Sequence, residues 1–174
     1  KLQSMYCNVY IVKNGNVFKR NDQAIEIRNH SLDDIAHVFE SFGKSDWLHI
    51  IYFWTNDLPF GAALDNPSCC YDDLSRYLSV LKVASSWHAN MLKFTVIVDS
   101  LFEINNGDCV NPMNSVLLGP GLTIHNEMPM VAHKSIELPV KLATNNINSY
   151  VSLTIKDLAC ARKEKLIAYR HKKR

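Results

Sequence analysis

The chain has 174 residues, of which 47% are apolar and 21% charged, and its formal net charge is +2. That is the balance of an ordinary globular protein, long enough for one domain with a core of its own. So small a charge gives no ground for a nucleic-acid partner, and no uncharged apolar run reaches the length of a membrane span, which predicts a cytoplasmic protein.

In chain order, Lys1 to Met5 runs straight into an apolar stretch and reads as a cut edge. Cys7 to Val12 predicts a strand from its β-branched content, and Asn14-Gly15 a turn before Val17-Phe18 and Ala24 to Ile27. Ser31 and Asp34 form a capping-box pattern, after which Leu32, Ile35, Val38, Phe39 and Phe42 follow helical spacing up to Gly43. Trp47 to Trp54 is almost wholly apolar, as a central parallel strand covered on both faces would be. A loop from Thr55 to Pro67 leads into a helix over Tyr71 to Trp87, with Leu74, Leu78, Leu81 and Ser85 on one stripe and Tyr77 and Val80 beside it.

Phe94 to Val98 predicts a second buried strand, closed by Asp99-Ser100. The stretch from Asn111 to Pro129 reads as a helix with Asn111 as its cap and Pro112 at its first position. An interior proline removes a helical hydrogen bond, so Gly119-Pro120-Gly121 should kink or split that helix. Ile136 to Leu138 makes a short strand, Ile147, Val151, Ile155 and Leu158 a helical stripe, and Leu166 to Tyr169 a last strand. Strands and helices in alternation predict an α/β fold, a mainly parallel sheet flanked by helices in a single domain over 1–174.

Such a sheet commonly holds a nucleotide, yet the equipment for one is missing. A dinucleotide fold needs Gly-x-Gly-x-x-Gly between a strand and a helix, so that bare backbone can approach the pyrophosphate. The one Gly-x-Gly is Gly119-Pro120-Gly121, inside a helix and without an amide at its centre. There is no Walker pattern. A Tyr-x-x-x-Lys pair occurs as Tyr169 and Lys173, but Tyr169 ends a strand, where no helical turn brings the two together. The seven histidines are scattered, with no spacing that gives zinc geometry. His37 reads as solvated and His49 as a hydrogen-bonded core residue. The five cysteines have no Cys-x-x-Cys pair and read as reduced, mostly buried thiols of a cytosolic protein. No catalytic, cofactor-binding or metal-binding set is therefore predicted. The basic end, Arg170 to Arg174, reads as a solvated strand exit.

Three stretches resemble the structural subdomain of the ketoreductase domain of modular polyketide synthases. His49-Ile50-Ile51-Tyr52-Phe53-Trp54-Thr55 is similar to the family's apolar strand ending in an aromatic and Ser or Thr. Asn111-Pro112 through Gly119, Gly121, Glu127 and Pro129, then Ile136-Glu137-Leu138, is similar to its Asn-Pro helix, Gly-x-Gly, Glu-x-Pro exit and following strand. Glu164 to Arg170 is similar to its terminal strand. Pro120 and Leu122 depart from the family, which has an apolar residue and an arginine there.

The resemblance implies a truncated Rossmann-like fold without the glycine-rich turn, its first strand and helix falling before Lys1. It also implies a non-catalytic half that packs against a catalytic half and stabilises it. That partner binds NADPH and reduces the β-ketone of a substrate carried on an acyl carrier protein, with neighbouring synthase domains in the same polypeptide. Trp54, Glu103, Asn111 and Glu127 are the interface candidates on the same ground. The alternatives are part of an inactive pseudo-ketoreductase spacer, and a free-standing α/β binding domain using Asp57 and Asp99 at strand ends, for which divalent-metal dependence would be the sign.

Overall fold

The computed structural model describes residues 8–29, 31–43, 47–53, 68–87, 90–108, 110–139, 147–160, 164–170 and 174. Its first unit is a three-stranded sheet. β1 (Ile11–Gly15) runs parallel to β3 (Ala24–Arg28), and β2 (Lys19–Arg20) pairs antiparallel with β3. Asn14 and Gly15 end β1 rather than form the turn; the chain bends just after them, at Asn16 and Val17, and turns tightly at Asp22-Gln23, across which the Asn21 amide reaches the Ala24 carbonyl at 2.8 Å. Gly15 serves a close approach instead, since a Cβ there would stand 3.0 Å from that of Glu26.

Helix α1 (Leu32–Glu40) starts at Ser31, whose hydroxyl accepts from the Asp34 amide at 3.2 Å. The expected capping box is half made. The Asp34 carboxylate turns to Arg28, accepting from its amide at 2.8 Å and its guanidinium at 2.6 and 3.1 Å. That bond ties the end of β3 to the start of α1.

The main sheet is four parallel strands in the order β4 (Trp47–Tyr52), β5 (Met91–Asp99), β6 (Val131–Leu138), β7 (Leu166–Ala168). The alternation of elements thus gives the parallel sheet its pattern implied. β4 departs from expectation, being outermost of the four rather than central, with Trp47 and Phe53 exposed.

Helix α2 (Ser68–Ser86) buries Tyr77, Val80, Leu81 and Ala84, while Leu78 is exposed. The expected face therefore holds, with Leu74 also packed on the core, except that Leu78 is turned out while Tyr77 takes the seat against Phe94 and Tyr52. The 111–129 stretch is split as expected, but earlier: a 3₁₀ helix (Pro112–Leu117) gives way to α3 (Leu118–Glu127). Pro120 then falls in the first turn of α3, where amides have no intrahelical acceptor and a missing N–H costs nothing.

Helix α4 (Ile147–Ala159) also differs from its predicted stripe. It buries Tyr150, Thr154, Asp157 and Leu158 and leaves Ile147 and Val151 exposed. The cause is Tyr169, whose hydroxyl donates to Asp157 and, at 3.3 Å, to the Leu153 carbonyl, and whose ring meets that of Tyr150 edge-on. These contacts fix the rotation of α4.

Period-two alternation divides β5 between two cores. Leu92, Phe94, Val96 and Val98 face the larger one, with residues of α1, α2 and α3, and Ile97 faces a smaller one formed with Ile136, Ile167, Tyr169 and α4.

Candidate functional site

In open parallel sheets ligands sit beyond the carboxyl ends of the strands. At that end of β5 the chain passes through Ser100, a buried non-glycine residue with φ of 54°, in the left-handed region. This sharp bend sends residues 101–108 over the end of β6. Beneath them lies Glu137 of β6, fully buried between Ile136 and Leu138.

One oxygen of Glu137 accepts from the amides of Leu101 at 2.8 Å and Phe102 at 3.2 Å, and from Arg170 Nη2 at 2.8 Å. Arg170 also donates from Nε to Asp108 at 2.7 Å, from Nη2 to the Phe102 carbonyl at 2.8 Å, and from Nη1 to the Tyr169 carbonyl at 2.9 Å. Asp108 in turn accepts from the amides of Ile104 and Asn105 at 3.1 and 3.0 Å. The loop, the end of β6 and the exit of β7 are thereby one hydrogen-bonded unit.

The electrostatics agree. The Asn105 amide, Arg170 and the Ile104 amide hold the Asp108 carboxyl down at about 2. Burial works against the Arg170 charge, but Glu137 and Asp108 outweigh it and raise its pKa. Asp99 is pushed up by burial, although Asn114 donates to it at 2.9 Å. The second oxygen of Glu137 and the Ser100 hydroxyl are buried without a hydrogen-bond partner among the described residues.

This arrangement is closed rather than receptive. Three carboxylates stand where a pyrophosphate would need amides and cations, and the one guanidinium is already shared between two of them. Nor do the described residues bring three or more His, Cys, Asp or Glu together in metal-holding geometry.

The other concavity is a groove of about 510 Å³ between residues 8–12 and β4, floored by α1 and α2. Val9, Tyr10, Val12, Phe39, Leu48 and Ile50 give it an apolar wall, and no carboxylate, lysine or arginine lines it. His49, on its rim, bonds Thr95 at 2.9 Å, and burial, with Lys93 and Lys134 adding to it, lowers its pKa to about 4. It is the hydrogen-bonded histidine the sequence led one to expect. His133 on β6 is held similarly, 3.1 Å from the Tyr77 hydroxyl and stacked on Phe94, its pKa lowered to about 4 by burial and then by Lys165.

Of the four interface candidates, the three among the described residues do not form one cluster. Trp54 and Asp57 lie outside the described residues. Glu103 is exposed on the loop after β5, and the amide of Asn111 donates to the Ser100 carbonyl at 2.7 Å. Glu127 ends α3 just before β6 begins, at the opposite edge of the sheet. Sequence reasoning missed the Glu137–Arg170–Asp108 cluster; the available signal was a lone acid between Ile136 and Leu138.

No family model matches the chain, and no curated protein does. Solved structures share its fold, among them two. One is described as the adenylation, ketoreductase and pseudo Asub multidomain structure of a keto acid-selecting NRPS module, with a TM-score of 0.81 over 95% of this chain at 16% identity. The other is an N-terminal ketoreductase from a macrolactin assembly line, with a TM-score of 0.60 over 93% at 13% identity. The chain spans 14% and 33% of those two chains. Its fold is thus that of a portion of assembly-line ketoreductases, mixed α/β with a four-stranded parallel sheet.

Proposed function

We propose that this chain is the structural half of an assembly-line ketoreductase, a folded platform that packs against and stabilises an NADPH-dependent catalytic half. That partner reduces β-ketoacyl groups held on a carrier protein. The chain itself forms one domain, binds no cofactor and contributes no reacting atom. The observation that carries this reading is the occupied carboxyl edge of the sheet, where Arg170, Glu137 and Asp108 satisfy one another in the place a nucleotide would take. The likeness in fold to two ketoreductases, each longer than this chain, supports the same reading.

The test compares the native full-length polypeptide with the 174-residue chain, using NADPH and a β-ketoacyl thioester surrogate. The full-length polypeptide is expected to oxidise NADPH with the thioester and the chain alone to do neither. NADPH binding by the chain alone at micromolar affinity would overturn the proposal. A full-length polypeptide without reductase activity would move the reading to the inactive spacer.

A further inference from the structure

Residues 101–108, which carry the chain from β5 over the end of β6, are held more firmly than a surface connection needs. The Leu101 and Phe102 amides bond Glu137, the Ile104 and Asn105 amides bond Asp108, and the Asp108 amide donates to the Asn105 carbonyl at 3.0 Å. Arg170 closes the arrangement through Asp108, Glu137 and the Phe102 carbonyl. Gly107, with φ of 91° and nothing within 4 Å of a Cβ, supplies the left-handed bend that brings the loop back to Asp108.

Two ion pairs, one of them to a wholly buried carboxylate, thus fix a loop whose outer residues face solvent. Such pairs gain little stability over apolar packing of the same volume, so what they supply here is a fixed shape. That shape holds out Glu103, Ile104, Asn105 and Asn106, all exposed, with Ile104 at 51%. A single exposed isoleucine is ordinary. This one is pinned, beside a Glu103 carboxylate that makes no ion pair among the described residues. A contact held in place beforehand binds without the cost of ordering a loop.

Position selects the occupant. Tyr169 and Arg170 leave the sheet alongside this loop, the Tyr169 amide on the Glu137 carbonyl at 3.0 Å and the Arg170 guanidinium on the Phe102 carbonyl. A polypeptide continuing beyond residue 174 therefore starts close to Ile104 and meets it at high effective concentration. Interfaces between domains of one chain run from about 600 Å² in total, a size that one rigid loop can centre. Glu127, by contrast, stands at the opposite edge of the sheet from this exit.

We propose that residues 103–106 dock the part of the same polypeptide that follows residue 174, with Ile104 in an apolar socket and Glu103 against a lysine or arginine of that partner, the Glu127 edge staying outside the contact. This rests on the reading above that the chain is the structural half of a longer reductase. The test is Asn106→p-benzoylphenylalanine in the full-length polypeptide, irradiated and mapped by mass spectrometry, with isotopically mixed molecules to separate contacts within and between copies. The probe at 106 is expected to cross-link to one segment beyond residue 174 in the same molecule. Glu127→p-benzoylphenylalanine is expected to reach that segment at least fivefold less. Ile104→Asp and Glu103→Arg, both at exposed positions, are each expected to lower the yield from position 106 at least fivefold.

Cross-links confined to residues 1–174, cross-links between copies, no cross-links, an equal yield from position 127, or a yield that either substitution leaves unmoved would each overturn the proposal. NADPH oxidation measured on the same sample separates the two readings. Activity without the cross-link removes the docking loop and leaves the structural half; the cross-link without activity removes the reductase partner and leaves the docking loop.

Discussion

Arg170 is a residue whose removal the fold tolerates poorly, since it joins Asp108, Glu137 and the Phe102 carbonyl. Its side chain is nearly buried, and Glu137 beside it wholly so. Removing one partner of a buried pair leaves the other charge uncompensated, which costs about 3–5 kcal/mol. Arg170→Ala is expected to fall in that range by urea unfolding. Glu137→Gln keeps an acceptor for the Leu101 and Phe102 amides and is expected to cost clearly less. Arg170→Lys keeps the charge but not the planar fork that reaches Asp108, Glu137 and the Phe102 carbonyl together, so it should lie between the two. If Arg170→Ala unfolds at the same urea concentration as the unaltered chain, the cluster has no structural weight. The second oxygen of Glu137, buried with no donor among the described residues, belongs to the same account, since an unmet acceptor weakens this corner.

At the scale of elements, α3 shows how close packing sets what a glycine is for. A Cβ on Gly121 would meet the His133 ring at 2.4 Å, and that ring is held between Phe94 and the Tyr77 hydroxyl. Gly121→Ala is therefore expected to destabilise by about 1–3 kcal/mol despite the better helix propensity of alanine. Nothing lies within 4 Å of a Cβ on Gly119, so Gly119→Ala is expected to be neutral or stabilising by up to about 1 kcal/mol. A pair of thermal melts in which the two variants behave alike would refute the contrast. Local signals made α1 legible: Ser31, Asp34 and Gly43 bracket it, and Ile35, Val38 and Phe39 are the residues it buries. The same reasoning put Leu78 of α2 and most of the α4 stripe on the wrong side. Periodicity counts apolar residues, whereas Tyr77 and Tyr150 chose the buried side through ring contacts and hydroxyl bonds made to residues far along the chain. The Glu137–Arg170 pair was illegible for a like reason, being 33 residues apart and joined only when β6 and β7 lie side by side.

For the whole molecule, the buried histidines and aspartates make stability a function of pH in two separate ranges. His49 and His133 have pKa values lowered from 6.5 to about 4 by burial, with nearby lysines adding to it. Between those values the unfolded chain binds protons that the folded chain refuses, so folding loses free energy as pH falls from 6.5 to about 4 and stops losing it from this source below. Each shift corresponds to roughly 3 kcal/mol at most. Asp34, held by Arg28, and Asp108, held by the Asn105 amide and Arg170, are depressed instead from 3.8, so their contribution is intact above 3.8 and is lost as pH falls through their folded values. Asp99 works the other way: raised by burial, it favours the folded state as pH drops toward 3.8 and offsets part of the histidine loss. The expected curve of unfolding free energy against pH thus declines below 6.5, flattens near 4 and declines again in stronger acid. His133→Gln should remove a share of the first decline and leave the second untouched. A first decline of the same size in that variant would mean that His133 titrates freely in the folded protein, and the seat of α3 on the sheet would then need another explanation.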